Sequence, residues 1–470
     1  MKHLCKSLLL VSVWMTMCTG SGAQSRDCGM PDLGSEFYAR LHDSLRRTET
    51  PEVFSKKAEQ KAYEALKERN KNFISGLFYS DLIVYDPIVT PYLESLMQRL
   101  IAGSPQLFTV RPHLFLSRSK IPNAYTTGSG IIIVNAAYIY QTKTEADLLC
   151  CIGHELGHFL SDDVEQSNRS YITLTQSEAY KDSMKDAQRG RFNRYSRLEQ
   201  TVKQYASGSS GHSRYRESEA DSMAVLLLHN AHIPFDPGFF LRLDSMTAVR
   251  KLPFSRDLAT ACTQLGLEGV NIPPAEANGR MKWKKSAKDS ADEELLKTHP
   301  DCAERFKRTQ KFADAKPDTK PIPDPVKEQV YFHLVHYAVA NNSIGEALYL
   351  LLRDTDFSAE KRQLYTALAL SRLQLAARRM ERAKTIGTVP ADDCSEAFNA
   401  MQAMLMRIPE QKMQTLISNT QAKTVLPEAA LAIRASEAKV EAEGSTGTDK
   451  WTLFDTNPCH YLNEIVSPAR

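Results

Sequence analysis

Long apolar runs are missing from this 470-residue sequence. Beyond the first two dozen residues nothing approaches the roughly 18 apolar residues a membrane-spanning helix needs. With a mean hydropathy of −0.38, a multi-span membrane protein is excluded. Excess charge is missing too: 59 basic residues against 56 acidic leave +3, too little for the broad attraction that non-specific nucleic-acid binding rests on. The expectation is no nucleic acid and no integral membrane span in the mature chain. Glycine (21) and proline (22) are too sparse for a collagenous or low-complexity chain. Nine cysteines lack the close, regular spacing of a disulfide scaffold or a zinc ribbon. An ordinary globular composition remains, with material for a sizeable core.

The first segment is different. Lys2 and Lys6, the apolar stretch Leu8 to Met17 and the small residues Ser21, Gly22 and Ala23 read as a cleavable secretory signal over 1–23. That predicts a periplasmic or secreted chain, cut near Ala23, carrying +1 once Lys2 and Lys6 are gone. Of the remaining cysteines, Cys28, Cys150, Cys151, Cys262, Cys302, Cys394 and Cys459, the pairing stays open, with Cys262 to Cys302 one candidate bridge. Cys150 and Cys151 sit in an apolar run and read as buried thiols.

Along the chain, residues 24–80 are polar and helical in pattern. Tyr92, Leu93, Leu96, Met97, Leu100 and Ile101 mark an amphipathic helix. Leu107 to Leu116 and Gly130 to Asn135 predict two strands. A long helix follows over 145–161, with a capping box expected from Thr142 and Glu145. Residues 166–205 are polar and helix-compatible, Ser207 to Gly211 form a loop, and helix resumes from about Arg214 to Leu228. Pro317, Pro321, Pro323 and Pro325 predict an extended linker over 313–326. Residues 327–447 read as helical, either tetratricopeptide-like pairs or a generic bundle, and 448–470 as a tail.

The chemistry concentrates in Gly153-His154-Glu155-Leu156-Gly157-His158. Histidines four apart on a helix stand one turn from each other, about 6 Å along the axis, so both imidazoles leave one face and can grip one metal ion. Glu155, on the same turn, is placed to accept a proton from a water that zinc has acidified. A catalytic zinc needs a third protein ligand and one open position. The candidate is Glu217 in Arg216-Glu217-Ser218-Glu219-Ala220-Asp221, with Asp221 one turn on to accept the second N–H of a ligating histidine. Glu219 points away on helical spacing and should face solvent. His333 and His336 lack an acidic or thiol partner nearby, and the basic run Arg280 to Lys288 is followed by acids, so neither reads as a site.

In order along the chain stand Pro122-Asn123-Ala124-Tyr125, the strand Gly130 to Val134, Glu145-Ala146-Asp147-Leu148, His154-Glu155 with His158, Glu217 with Ala220-Asp221, and Thr298-His299-Pro300 with Arg305. This set resembles zinc metallopeptidase family forty-eight, which includes the CAAX prenyl protease and the heat-shock protease HtpX. Within it, the chain is most similar to the soluble periplasmic branch typified by the beta-barrel assembly-enhancing protease. The resemblance spans roughly residues 80–312. It implies one zinc held by His154, His158 and Glu217, Glu155 as general base, and Asp221 behind the ligands. It further implies an edge strand, Ile131, Ile132, Ile133 and Val134 with Asn123 nearby, that holds a substrate peptide extended, and His299 on a loop near the metal.

The expected fold is α+β: a mainly helical, zincin-like domain with a small sheet over 81–312, then an all-α domain over 327–447. The expected function is an exported zinc endopeptidase with protein or peptide substrates, acting on misfolded or unassembled envelope proteins, with a candidate protein partner at the C-terminal helices. A chaperone-like or binding protein with a latent or structural zinc site is the alternative.

Overall fold

Why one strand is hydrophobic without interruption is answered by the layers around it. In the computed structural model, which describes residues 50–79, 82–127, 130–189, 214–264, 301–314, 316, 318–354, 356–378, 386 and 394–423, a four-stranded sheet lies between helices. Its strands are β1 (Ile83–Val84), β2 (His113–Ser117), β3 (Ala124–Thr126) and β4 (Ile131–Asn135), in the order β1-β2-β4-β3. β2 and β4 are parallel, and the two outer pairings are antiparallel. Phe115, Ile131 and Ile133 pack with Ile74 and Leu77 of helix α1 (Lys57–Tyr79). Leu114, Leu116, Ile132 and Val134 face the main core with α2 (Val89–Gly103). A strand covered on both faces needs apolar side chains at every position, hence Ile-Ile-Ile-Val.

This placement corrects the expected substrate strand. Ile131 to Val134 do not form an edge: β2 pairs with one side of β4 and β3 with the other, in the register Ala124 to Val134, Tyr125 to Ile133 and Thr126 to Ile132. Among the described residues the sheet ends in β1 on one side and β3 on the other; β3, beside β4, is short, more polar and half exposed at Tyr125 and Thr126, the features that mark an edge. Asn123 stands just before it, its carbonyl accepting from the Asn135 N–H at 3.0 Å. The sequence reading also missed β1 and β3 as strands, both too short to show periodicity. Leu107 belongs to a 3-10 turn rather than to β2.

Helices build the rest. α3 (Ala136–Gln141) leads directly into α4 (Glu145–Leu160), whose cap is Thr144 and not Thr142. The Thr144 hydroxyl accepts from the Asp147 N–H at 3.2 Å, whereas Thr142 donates back to Tyr138 and closes α3. Then follow α5 (Asp163–Gln176), α6 (Glu178–Arg189), α7 (214–230), α8 (Gly238–Asp244), α9 (Leu258–Gln264) and α10 (Cys302–Thr309). Among the described residues, none of these or the later helices is long and apolar enough to cross a membrane.

In the C-terminal part stand α11 (Asp324–Ala340), α12 (Ile344–Arg353), α13 (Ala359–Arg378), α14 (Glu396–Arg407) and α15 (Glu410–Lys423). α11 begins inside the segment expected as linker, with Pro325 in its first turn, where a missing N–H costs nothing. Pro321 bridges to Thr144, and the Lys327 ammonium caps the carbonyls of Ile139, Tyr140 and Thr142 at the end of α3. Tyr331, Tyr349 and Leu352 share one apolar core with Leu148, Ile152 and Leu228. Cys262 and Cys302 are both free thiols, so the candidate bridge between them is not made. Cys150 and Cys151 are buried, as their neighbours require. The segment 1–23, Cys28, Ser207 to Gly211, Arg280 to Lys288, His299, Cys459 and the tail 448–470 lie outside the described residues.

Candidate metal centre

Helices α4 and α7 cross in close contact. A Cβ added to Gly157 of α4 would stand 2.9 Å from the Cα and the carbonyl oxygen of Ala220 on α7; one added to Gly153 would sit 3.4 Å from Ala224. Glycines four apart therefore form a smooth strip on which the alanine strip of α7 rests. This approach carries Glu217, one turn before Ala220, over the imidazoles flanking Gly157.

The three donors form a triangle. His154 Nε2 and His158 Nε2 are 3.1 Å apart, Glu217 Oε2 lies 3.4 Å from His154 Nε2, and Glu217 Oε1 lies 3.6 Å from His158 Nε2. A tetrahedral ion with bonds near 2.05 Å holds its ligands roughly 3.3 Å apart, so the spacing fits one such ion. Among the described residues, this is the group of three that could hold a metal.

Behind the triangle each imidazole is tied down. His154 Nδ1 lies 3.0 Å from Asp221 Oδ1, and His158 Nδ1 lies 2.7 Å from Asp163 Oδ2. Donating Nδ1–H to a carboxylate fixes the tautomer and leaves the Nε2 lone pair aimed inward. Asp221 is itself clamped by Arg305, which bonds both carboxylate oxygens and lies 4.5 Å over the Phe240 ring, and by Arg308 at 2.9 Å. Burial pushes the Asp221 carboxyl up, but bonds to His154 and Arg305 outweigh it and hold it at about 2. Burial likewise pulls the His154 imidazole down, yet Asp221 and Glu217 prevail and raise it to about 9. The carboxylates thus favour a positive charge at this spot, whether a proton or a cation.

Glu155 is buried on the same helix, with its carboxylate 3.0 Å from the hydroxyl of Thr126 on edge strand β3. The same hydroxyl lies 2.8 Å from the Glu155 main-chain carbonyl, and its single proton serves one acceptor at a time. The structure therefore brings together His154, Glu155, His158, Glu217 and Asp221, and puts Glu219 on the exposed side of α7. Sequence reasoning missed Asp163 and Thr126, and it quoted Arg305 only within the family resemblance, without its clamp on Asp221. Asp163 left one trace, an Asp-Asp pair directly after α4; the other two contacts join residues 29 and 84 positions apart and leave no local pattern. His333 is bonded to Asp86 at 2.9 Å and to Arg118 at 3.3 Å.

Two imidazoles and a carboxylate on crossed helices form a candidate metal centre, the donor set that metallopeptidases use. Residues 87–313, just under half of the chain, match the model of peptidase family M48. The chain is similar to the beta-barrel assembly-enhancing protease of Yersinia pestis, 29% identical over 76 residues, which is 16% of this chain and 15% of that protein. It is also similar to the putative beta-barrel assembly-enhancing protease of Vibrio cholerae serotype O1, 24% identical over 168 residues, 34% of each chain. The matches thus span about a sixth and a third of the length of these relatives.

Proposed function

We propose that the chain is an exported zinc endopeptidase that hydrolyses peptide bonds of misfolded or unassembled envelope proteins. The triangle of His154, His158 and Glu217, with both imidazoles anchored from behind, carries this reading. The donor set suits zinc, which takes nitrogen and carboxylate ligands and in catalytic sites keeps three protein ligands and an open position. When bound, zinc supplies a Lewis acid that polarises the scissile carbonyl and acidifies a water molecule.

The remaining steps belong to the chain. Glu155 takes the proton from the attacking water and passes it to the leaving amine. Thr126 holds the Glu155 side chain while Glu155 awaits that proton. The register of β3 on β4 turns the main-chain groups of Ala124 and Thr126 away from β4, so an extended substrate adds to the sheet there, next to the general base. Envelope substrates and export are supported by the signal-like residues 1–23 and by the names of the two relatives.

Glu155→Gln tests the mechanism. The variant should keep one zinc per chain, measured by elemental analysis, and lose cleavage of an unfolded outer-membrane protein. Undiminished cleavage would sink the role of Glu155. Zinc bound in wild type with no cleavage, alongside tight binding of the same unfolded protein, would favour the chaperone-like reading.

A further inference from the structure

The six residues 118–123 join β2 to the edge strand β3, and they are gripped from two sides. From the sheet, Asn135 holds the far end: its side-chain amide donates to the Ile121 carbonyl and its N–H to the Asn123 carbonyl, both at 3.0 Å. From the C-terminal helices, two side chains hold the near end. His333 of α11 accepts from Arg118 at 3.3 Å and is fixed in turn by Asp86 at 2.9 Å. Glu346, in the first turn of α12, takes the Lys120 ammonium at 2.6 Å on one oxygen and faces Arg250 at 3.8 Å on the other.

These two bonds differ from ordinary surface pairs. Exposed ion pairs contribute little because water competes for both partners. Here the Glu346 carboxylate is only 9% exposed, whereas the Lys120 side chain is 40% exposed. Losing Lys120 therefore leaves a buried carboxylate short of a partner, and the loop loses its anchor to α12.

We infer that Glu346, acting through Lys120, and His333, acting through Arg118, are positioning residues for the substrate strand β3, so that the C-terminal helices set how well an extended peptide docks. This rests on the reading of β3 as the strand that receives substrate. A substrate that adds to β3 has to find Ala124 and Thr126 at a fixed place. A loosened approach to β3 lowers the fraction of time the strand is competent, which weakens uniform binding without altering proton transfer at Glu155.

The experiment uses the full chain loaded with zinc, as wild type, Lys120→Met, Glu346→Gln and the double variant. Amide hydrogen exchange over 118–127 is read first, since it needs no activity. Each single variant should speed exchange in this segment by on the order of tenfold, leave α4 and α7 unchanged, and keep its zinc; the double variant should add little more. With an unfolded protein substrate, KM should rise about fivefold at constant kcat, in line with an interaction near 1 kcal/mol. Unchanged exchange over 118–127, or a uniform rise across the whole chain, overturns the assignment. Lys120→Met is the safer variant, because the buried carboxylate then keeps Arg250. If wild type cleaves nothing, the proposed activity fails while the exchange measurement still decides whether the helices hold the strand.

Discussion

Gly157 on α4 lies against Ala220 on α7 so tightly that a Cβ would stand 2.9 Å from the alanine backbone, and this contact is what lets Glu217 reach the two imidazoles. A Cβ on Gly153, one turn earlier, would stand 3.4 Å from the Ala224 Cα, at the short end of ordinary van der Waals contact. The two glycines should therefore answer differently to the same substitution. Gly153→Ala should be neutral or stabilise by up to about 1 kcal/mol through helix propensity. Gly157→Ala should cost about 1–3 kcal/mol and lower zinc affinity, because backbone cannot yield as a flexible side chain does. Thermal unfolding with and without zinc separates the two outcomes.

Asp163 holds the back of His158 at 2.7 Å. Asp163→Ala should weaken zinc binding by about 10–100-fold, the usual effect of losing a carboxylate behind a ligating histidine. Asp163→Asn should fall between the two, since its amide oxygen can still accept the N–H without the charge. Competition against a chelator of known affinity measures this, and equal affinities for all three proteins would rule it out.

Thr126 offers one proton to the Glu155 carboxylate or to its main-chain carbonyl. Thr126→Val removes the hydroxyl at constant shape and should reduce kcat by about tenfold with little change in KM, while Thr126→Ser restores it. A change confined to KM would mean that Thr126 serves only the strand.

The Asp221 carboxyl is held at about 2 in the folded chain, against about 3.9 when unfolded. As pH falls, the unfolded chain takes up this proton first. The stabilisation is full above about pH 4, shrinks between about 4 and 2, and is gone below, amounting to about 2 kcal/mol. In the metal-free protein, denaturant titrations at pH 5 and pH 2 should show the advantage of wild type over Asp221→Asn shrinking by that amount. An advantage independent of pH would contradict it.

How much of this was legible beforehand depends on the range of each interaction. The α4 helix shows in its apolar spacing and ends within one residue of the expected bound. Thr142 misled as a cap because two helices meet within a few residues, and either threonine suits the role until the backbone angles are known. The apolar strand misled in a more instructive way. The family resemblance pointed to Ile131 to Val134 as the accessible strand, yet an unbroken apolar run is the mark of a strand buried on both faces. The short, polar Ala124-Tyr125-Thr126 is what an edge looks like.

Sequence alone determined whatever local spacing dictates: the pair of imidazoles one turn apart, the carboxylate between them, the helix that carries both, and the class of metal chemistry those residues suit. Residues three and four apart on a helix share a face in any fold, so that inference needed no tertiary contact. Only the tertiary structure decided that β4 is interior and β3 lies at an edge, that Asp163 and Arg305 close the ring around the donors, and that the C-terminal helices contact the approach to β3 through Lys120 and Arg118. Except for Asp163, five residues from His158, these contacts join segments far apart in the chain, and the meeting of Glu217 with the imidazoles depends on Gly157, where a larger residue would keep the two helices apart.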